Sequence, residues 1–196
     1  MNASAAAILT EPHPCGHIVY PYTDEALVGQ AVSLFASAGL RNGEGVILVM
    51  TASHCDSITL RLVMEGLDVE ALQKSGRLTC VVAEELLEEF MIDGVPDKEL
   101  FRNAVGKMIV NARAATGKGP EGQVRVFGEM VSLLWNSNLG ATVSLEEMWN
   151  EVIEEHRVSL MCTYALNGRD NIPDSLHALH KHSMRDPTVE QYVART

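Results

Sequence analysis

The chain has 196 residues, of which 46% are hydrophobic and 21% charged, and its formal net charge is −11 at pH 7. One domain with a full core is the natural expectation for this length, and the proportions are those of an ordinary globular protein. The negative charge would be repelled by nucleic acid or an anionic membrane surface, and no basic patch interleaved with aromatics offsets it.

Cys15, Cys55, Cys80 and Cys162 stand far apart with no CxxC pair, so neither a zinc knuckle nor a redox motif is written here. Scattered single cysteines suit a reducing compartment. Residues 1–9 are Ala-rich but lack the basic stretch and long apolar core of a signal peptide. No apolar run approaches the roughly 18 residues that span a bilayer. A cytoplasmic location is expected.

In chain order, residues 1–14 read as a frayed leader, 15–183 as one α/β domain and 184–196 as a loose tail. His17-Ile-Val-Tyr-Pro-Tyr22 gives a short strand, interrupted by Pro21, which cannot donate to a ladder. Thr23 is placed to cap a helix with Asp24 and Glu25 in its first turn. Leu27, Ala31, Leu34, Phe35 and Ala38 follow at helical spacing, and Gly39 ends the run. Val46-Ile-Leu-Val-Met50 is the clearest strand in the chain. Ser53 with Asp56 opens the next helix, which runs to Gly66, and a short acidic helix spans 69–74. Residues 77–82 form a third strand and 83–90 a short amphipathic helix. Asp93-Gly-Val-Pro96 is a turn. Asp97 then caps a helix whose Phe101, Ala104, Val105, Met108, Ile109 and Ala112 share one stripe.

Val124, Val126 and Phe127 make a short run that reads as a strand buried on both faces, and Gly128-Glu129 ends it. Residues 136–142 look like a loop, after which Ser144 and Glu147 form a capping box for a helix presenting Leu145, Met148, Trp149, Val152 and Ile153. A last strand covers 158–164, and Pro173 starts a helix ending near His182. Strands alternating with helices imply βαβ units, hence a three-layer α/β fold with a mostly parallel sheet.

Such a scaffold invites a test for nucleotide chemistry. A phosphate loop, G-x-x-x-x-G-K-[ST], would lie between the first strand and first helix. Tyr20-Pro-Tyr-Thr-Asp-Glu25 stands there instead, with no glycine and two carboxylates where phosphate would sit. Neither G-x-G-x-x-G, G-x-S-x-G nor H-E-x-x-H occurs. His177, His180 and His182 could gather a metal, since two of them are spaced i, i+3, but they lack an acidic or cysteine partner in sequence, and no metal is assigned.

Open α/β sheets bind ligands at the carboxyl ends of their strands. Glu129, directly after a buried strand, is therefore either a site residue or a cap for the segment that follows. His17, Tyr20 and Tyr22 flank the first strand, Trp135, Trp149 and Asn150 lie on helices nearby, and Tyr164 ends the last strand. The chain has only 10 aromatics (2 Trp, 4 Tyr, 4 Phe), so their gathering at one edge suggests an enclosed amphipathic pocket. Core packing is the alternative, and Trp149 fits it best.

The blocks His17-Ile-Val-Tyr-Pro-Tyr-Thr-Asp24, Val126-Phe-Gly-Glu-Met-Val131 and Leu145-Glu-Glu-Met-Trp-Asn150 resemble the MEDS domain, the methanogen/methylotroph sensory domain named for the dichloromethane-responsive regulator. The resemblance runs from about His17 to Leu166. It implies a RecA/KaiC-type core, a P-loop-NTPase-like fold with the phosphate loop lost, and a sensory role toward small organic molecules such as hydrocarbon derivatives. Family members often precede histidine kinases or DNA-binding regions, so a histidine kinase or transcriptional regulator is the implied partner. This sequence departs from that pattern in showing no output domain.

The resulting expectation is a non-enzymatic sensory module without a cofactor. Its ligand-binding set is His17, Tyr20, Tyr22, Asp24, Glu129, Trp135, Trp149, Asn150 and Tyr164. Glu129 should converge with His17 or Tyr22, and a homo-oligomer is compatible with the pattern. The competing readings are a residual nucleotide-binding ATPase or metal-dependent hydrolase using Glu129 as base, and a pure interaction module docking a kinase or regulator.

Overall fold

The structure, a computed structural model, describes residues 5–183. From the amino end the elements are α1 (Ala5–Thr10), β1 (His17–Tyr22), α2 (Glu25–Arg41), β2 (Gly45–Met50), α3 (Ala52–Met64), α4 (Val69–Lys74) and β3 (Leu78–Val82). Next come α5 (Ala83–Phe90), β4 (Met91–Ile92), β5 (Val95–Pro96), α6 (Lys98–Ala115), a 3₁₀ turn (Gly119–Glu121) and β6 (Val124–Gly128). The remainder is α7 (Met130–Leu134), α8 (Leu139–His156), β7 (Ser159–Ala165), α9 (Asp174–His177) and β8 (His182–Ser183).

The main sheet has the order β3-β2-β6-β7-β1-β8, and every pairing in it is parallel. The two apolar runs legible in the sequence are direct neighbours, registered from Gly45 opposite Val124 to Val49 opposite Gly128. Every residue of both strands is buried, which is why neither shows polar alternation. Along each strand side chains point alternately to the two faces. Ile18, Tyr20, Leu48, Met50 and Phe127 meet helices α1 to α4 on one side. Val19, Ile47, Val49, Val126 and Leu160 meet α5 to α9 on the other.

Several local expectations shift. Residues 5–10 form a helix rather than a frayed leader, with Leu9 fully buried. Asp24, not Thr23, caps α2, its Oδ1 accepting hydrogen bonds from the Ala26 and Leu27 amides. α8 begins at Leu139, capped by Asn138, whose Oδ1 accepts from the Ala141 amide. Ser144 and Glu147 therefore lie inside the helix. α9 is a single turn, and the chain then adds two residues to the sheet beside Ile18 and Val19. Pro21 is accommodated within β1. The turn at 93–94 closes a small antiparallel hairpin between β4 and β5. The tail over 184–196 lies outside the described residues.

Arg125 occupies the middle of apolar β6 and is only 2% exposed. All five of its N–H donors find oxygen. Nε and one terminal amine form a fork on the Glu44 carboxylate at 2.5 and 2.8 Å. The remaining donors reach the Leu9 and Thr10 carbonyls at 2.9 Å each and the Phe35 carbonyl at 3.2 Å. This single side chain thus ties α1, α2 and the turn before β2 to the sheet. Gly39 faces it, and a Cβ there would stand 2.8 Å from both Arg125 Cδ and Nε. That contact fixes glycine at this position, which lies inside α2 rather than at its end: the helix continues to Arg41 and Asn42 is its C-cap.

Replacing Arg125 with Ala leaves Glu44 unpaired and takes one donor from each of five oxygens. Loss of one partner of a buried ion pair costs about 3–5 kcal/mol. Urea unfolding should show a loss of that order, with faster proteolytic removal of α1. A loss below about 1 kcal/mol would mean that the guanidinium site is not a main tie between α1 and the sheet.

Candidate functional site

The helix following β2 packs on one face of the sheet, and those following the adjacent β6 pack on the other. The same reversal occurs between β7 and β1. Such switch points open crevices at the carboxyl edge of a parallel sheet. A cleft of about 410 Å³ lies across this edge, lined from β1 and α2 by Tyr22 and Glu25, from the β2–α3 junction by Thr51, Ser53 and His54, and from β6–α7 by Glu129, Ser132 and Leu133. Ala165 and Asn167 after β7 complete it. Its size falls within the range of small-molecule sites. A larger groove of about 790 Å³ between α6 and α8 is lined mostly by exposed side chains such as Glu99, Arg102 and Lys107.

At the base of the cleft is Glu129, 1% exposed. Its backbone N–H still donates to the Val49 carbonyl at 3.0 Å, so the carboxylate leaves the sheet directly from the last rung of the ladder. Oε2 accepts from the Thr51 amide at 2.8 Å and the Thr51 hydroxyl at 3.3 Å. Oε1 lies 2.6 Å from His54 Nδ1, and His54 Nε2 reaches Glu25 Oε2 at 2.7 Å. The result is a carboxylate–imidazole–carboxylate relay from the centre of the sheet to the first residue of α2. The hydrogen bond to Glu129 outweighs the burial that would lower the imidazole's pKa, raising it to about 9. His54 is therefore a cation at neutral pH. Burial, reinforced by the nearby Glu129 and Glu25 charges, pushes the Tyr22 phenol well above its ordinary value, so it stays protonated.

Two residues, Thr23 and Asp24, separate β1 from α2. The eight positions of a phosphate loop have no room there, and Asp24 already occupies the helix-end amides. The family model for MEDS, "MEthanogen/methylotroph, DcmR Sensory domain", matches residues 16–182.

The chain belongs to the MEDS family.

No curated protein matches it. Among solved structures, the fold is similar to that of a KaiC-like protein from the hyperthermophilic archaeon Pyrococcus horikoshii OT3. The TM-score is 0.57 at 13% identity, covering 87% of this chain and 71% of that one. The likeness establishes the fold: this MEDS domain has a RecA/KaiC-like core. Among the described residues, no helix is long and apolar enough to cross a membrane.

The residues expected to line a site divide into separate groups in this MEDS domain. Tyr22 and Glu129 share the cleft, although β1 and β6 are separated by β7 and are not neighbours. Asp24 is an exposed helix cap. Tyr20 is buried among the α1–α4 side chains. Trp149 stacks edge-on to Phe101 at 5.1 Å in the opposite core. Trp135 stands edge-on to Tyr164 at 5.9 Å with the Arg169 guanidinium 4.3 Å over its ring.

His17 begins β1 at the amino end of the strand, and so does not meet Glu129. With Asn150 and Tyr164 it belongs to a buried polar group around Glu146 and Cys162. Burial would raise the Glu146 pKa, but the His17 charge and hydrogen bond overcome it and hold the carboxyl well below the usual range. Burial and the Glu146 charge push the Cys162 thiol and Tyr164 phenol upward. Of the three carboxyl-terminal histidines, His177 bonds Asn171 Oδ1 at 3.0 Å and His180 turns inward to Glu146, while the His182 side chain lies outside the described residues. His54 was not singled out in the sequence. The signal for it was the one that flagged Glu129, a polar residue a few positions beyond a fully apolar strand.

Because the folded imidazole's pKa lies above the ordinary 6.5, its ion pairing stabilises the fold fully below about pH 6.5 and is lost as pH rises through about 9. An NMR titration should place the His54 midpoint near 9, and Glu129→Gln should move it back toward 6.5. The stability gap between wild type and His54→Gln should narrow over the same pH window. A wild-type midpoint below 7 would contradict the relay.

Proposed function

We propose that the cleft at the carboxyl edge binds a small organic molecule and that the domain senses it without catalysing a reaction. The observation that carries this reading is the Glu129–His54–Glu25 relay, which places a buried, charged recognition group at the meeting point of four strand ends. Membership of a sensory-domain family supports it. The lining offers Tyr22, Ser53 and Asn167 for hydrogen bonding and Leu133 with Ala165 as an apolar wall. Asn167, with φ 48°, and Gly168, with φ 83°, form a turn closed by the Arg169 N–H on the Leu166 carbonyl at 2.9 Å, and this turn sets the rim.

Glu25 gives the relay its means of reporting. Its side chain is 66% exposed while that of Glu129 is 2% exposed, so an incoming hydrogen-bonding group competes for His54 with Glu25, not with Glu129. Displacing Glu25 uncouples the first turn of α2 from α3, and the surface formed by these helices changes for a partner. A histidine kinase or transcriptional regulator, or a second copy of the chain, is the receiver we propose, in a cytoplasmic setting.

The residual-ATPase reading is less well supported, because the helix-end amides that would hold phosphate are taken by Asp24. Calorimetry with Mg-ATP at high-micromolar concentration should show no binding, and a clear isotherm would sink the non-nucleotide reading. Native mass spectrometry of the purified protein should reveal a co-purifying small molecule. Once it is identified, Glu129→Gln, which removes the partner that keeps His54 cationic, should weaken its binding about tenfold, since a hydrogen bond to a charged group is stronger than one to a neutral group by roughly 1 kcal/mol or more. An unchanged affinity in that variant would remove Glu129 from the site.

A further inference from the structure

Behind the cleft, four side chains with metal-ligating atoms converge in the core: His17 of β1, Glu146 of α8, Cys162 of β7 and His180 just after α9. Their donor atoms all lie within 4.8 Å of one another. All four side chains are buried, those of His17, Glu146 and His180 with no exposed surface. His17 Nε2 is 3.1 Å from Glu146 Oε2, and His180 Nε2 is 3.1 Å from Glu146 Oε1. Cys162 Sγ is 3.5 Å from His17 Nε2 and 3.6 Å from Glu146 Oε2.

The outer nitrogens of both histidines fix which way each ring faces. His180 Nδ1 sits 2.7 Å from the Leu176 carbonyl, which can only accept, so Nδ1 carries hydrogen. His17 Nδ1 sits 3.0 Å from Asn150 Oδ1. The Asn150 amide is held in that orientation because its Nδ2 donates to the Leu179 carbonyl at 3.0 Å. Both imidazoles are thus oriented with Nε2 inward. A histidine anchored through its outer N–H to a carbonyl is the arrangement that orients metal ligands.

The pairing of His17 with Glu146 at 3.1 Å accounts for part of this group. It leaves His180 Nε2, buried and near Glu146 yet without a hydrogen bond, and a thiol set against both partners. A cation at the centre accounts for all four. Tetrahedral zinc, with bonds of about 2.0–2.3 Å, holds its ligand atoms about 3.3–3.8 Å apart; the four separations given above lie near this range, and the whole set, within 4.8 Å, would close slightly around an ion. Its two charges would balance one thiolate and one carboxylate, so the core would hold no net charge.

We propose that His17 Nε2, Glu146, Cys162 Sγ and His180 Nε2 form a structural site for a divalent transition-metal ion of the zinc class. Four protein ligands close the coordination sphere, which suits a structural role and leaves no open position for substrate. A metal takes the Cys162 sulfur as thiolate and the two imidazoles as neutral ligands, so binding competes with protons and affinity falls as pH is lowered. Three ligands come from the body of the domain and the fourth from the segment after α9. The ion therefore staples that segment, including the start of β8, to the sheet. This site is independent of the proposed cleft.

The test uses the full chain, stripped with a chelator and titrated with Co²⁺ and Zn²⁺. The expected result is about one Co²⁺ per chain with tetrahedral ligand-field bands and a thiolate charge-transfer band, displaced by Zn²⁺, which also raises the thermal midpoint. Cys162→Ser should abolish the charge-transfer band. His180→Ala, which removes the ligand supplied by the segment after α9, should weaken binding at least about tenfold. Asn150→Ala should weaken it about 10–100-fold, as loss of a supporting hydrogen bond does. His177→Ala should change nothing. The proposal is overturned if the folded, stripped protein takes up no metal at stoichiometric concentration. It is equally overturned if uptake survives both Cys162→Ser and His180→Ala undiminished, which would place the ion elsewhere.

Discussion

Arg125 carries a full charge into a buried strand whose other residues are all apolar, and a charge so placed is tolerated only when every donor is matched. Meeting that requirement recruits chain from far away: the last two residues of α1, a carbonyl from the third turn of α2 and a carboxylate from the turn before β2. The elements at this end of the sheet are thereby coupled: a guanidinium buried in β6 is satisfied only with α1, α2 and Glu44 in place, in addition to the apolar cluster they share. Without the guanidinium, α1 would hold to α2 through few side chains, Leu9 chief among them.

The same constraint acts twice more, with different results. Glu129 and Glu146 are both buried carboxylates answered by histidine, but their settings diverge. Glu129 sits where the strands end, and its histidine is partnered in turn by a solvent-facing carboxylate, so the charge is connected to the outside. Glu146 is enclosed on every side by β1, β7, α8 and the segment after α9. One arrangement can exchange partners without disturbing the core; the other cannot. A single α/β scaffold thereby keeps a solvent-connected group and an enclosed one within a few residues of each other, since Tyr164 of the enclosed group immediately precedes Ala165 of the cleft.

Much of the fold was legible because its strands are buried on both faces. Val46 to Met50 and Val124 to Phe127 carry their assignment in composition alone, and Asp97, with a well-formed amphipathic stripe behind it, announced α6. The start of α8 was not legible, because Asn138-Leu-Gly-Ala-Thr142 lacks apolar periodicity while Ser144 and Glu147 imitate a cap. Asp24 displaced Thr23 by one residue, a difference that only the backbone geometry decides. Glu129 and Tyr22 were readable as edge residues. His17 was misplaced although chain order alone puts it at the amino end of β1, opposite the carboxyl edge where the cleft lies. Glu146 was invisible for a different reason: on α8 it reads as one acidic residue among several. Its burial is decided by partners 16 to 129 residues distant, although the alternation of Cys162 and Tyr164 on one face of β7 was a usable hint.

Pro21 has a consequence at the outer margin of the sheet. Successive residues of a parallel strand present their backbone groups alternately to the two neighbours. The Tyr22 carbonyl accepts from the Leu166 amide on the β7 side, so position 21 faces the other way, toward the margin where β8 pairs with Ile18 and Val19 only. Among the described residues, the missing N–H therefore falls at a rung where no strand pairs with β1 on that side. A proline there withholds the donor that a further strand laid along this flank would need, the same device that blunts exposed sheet edges.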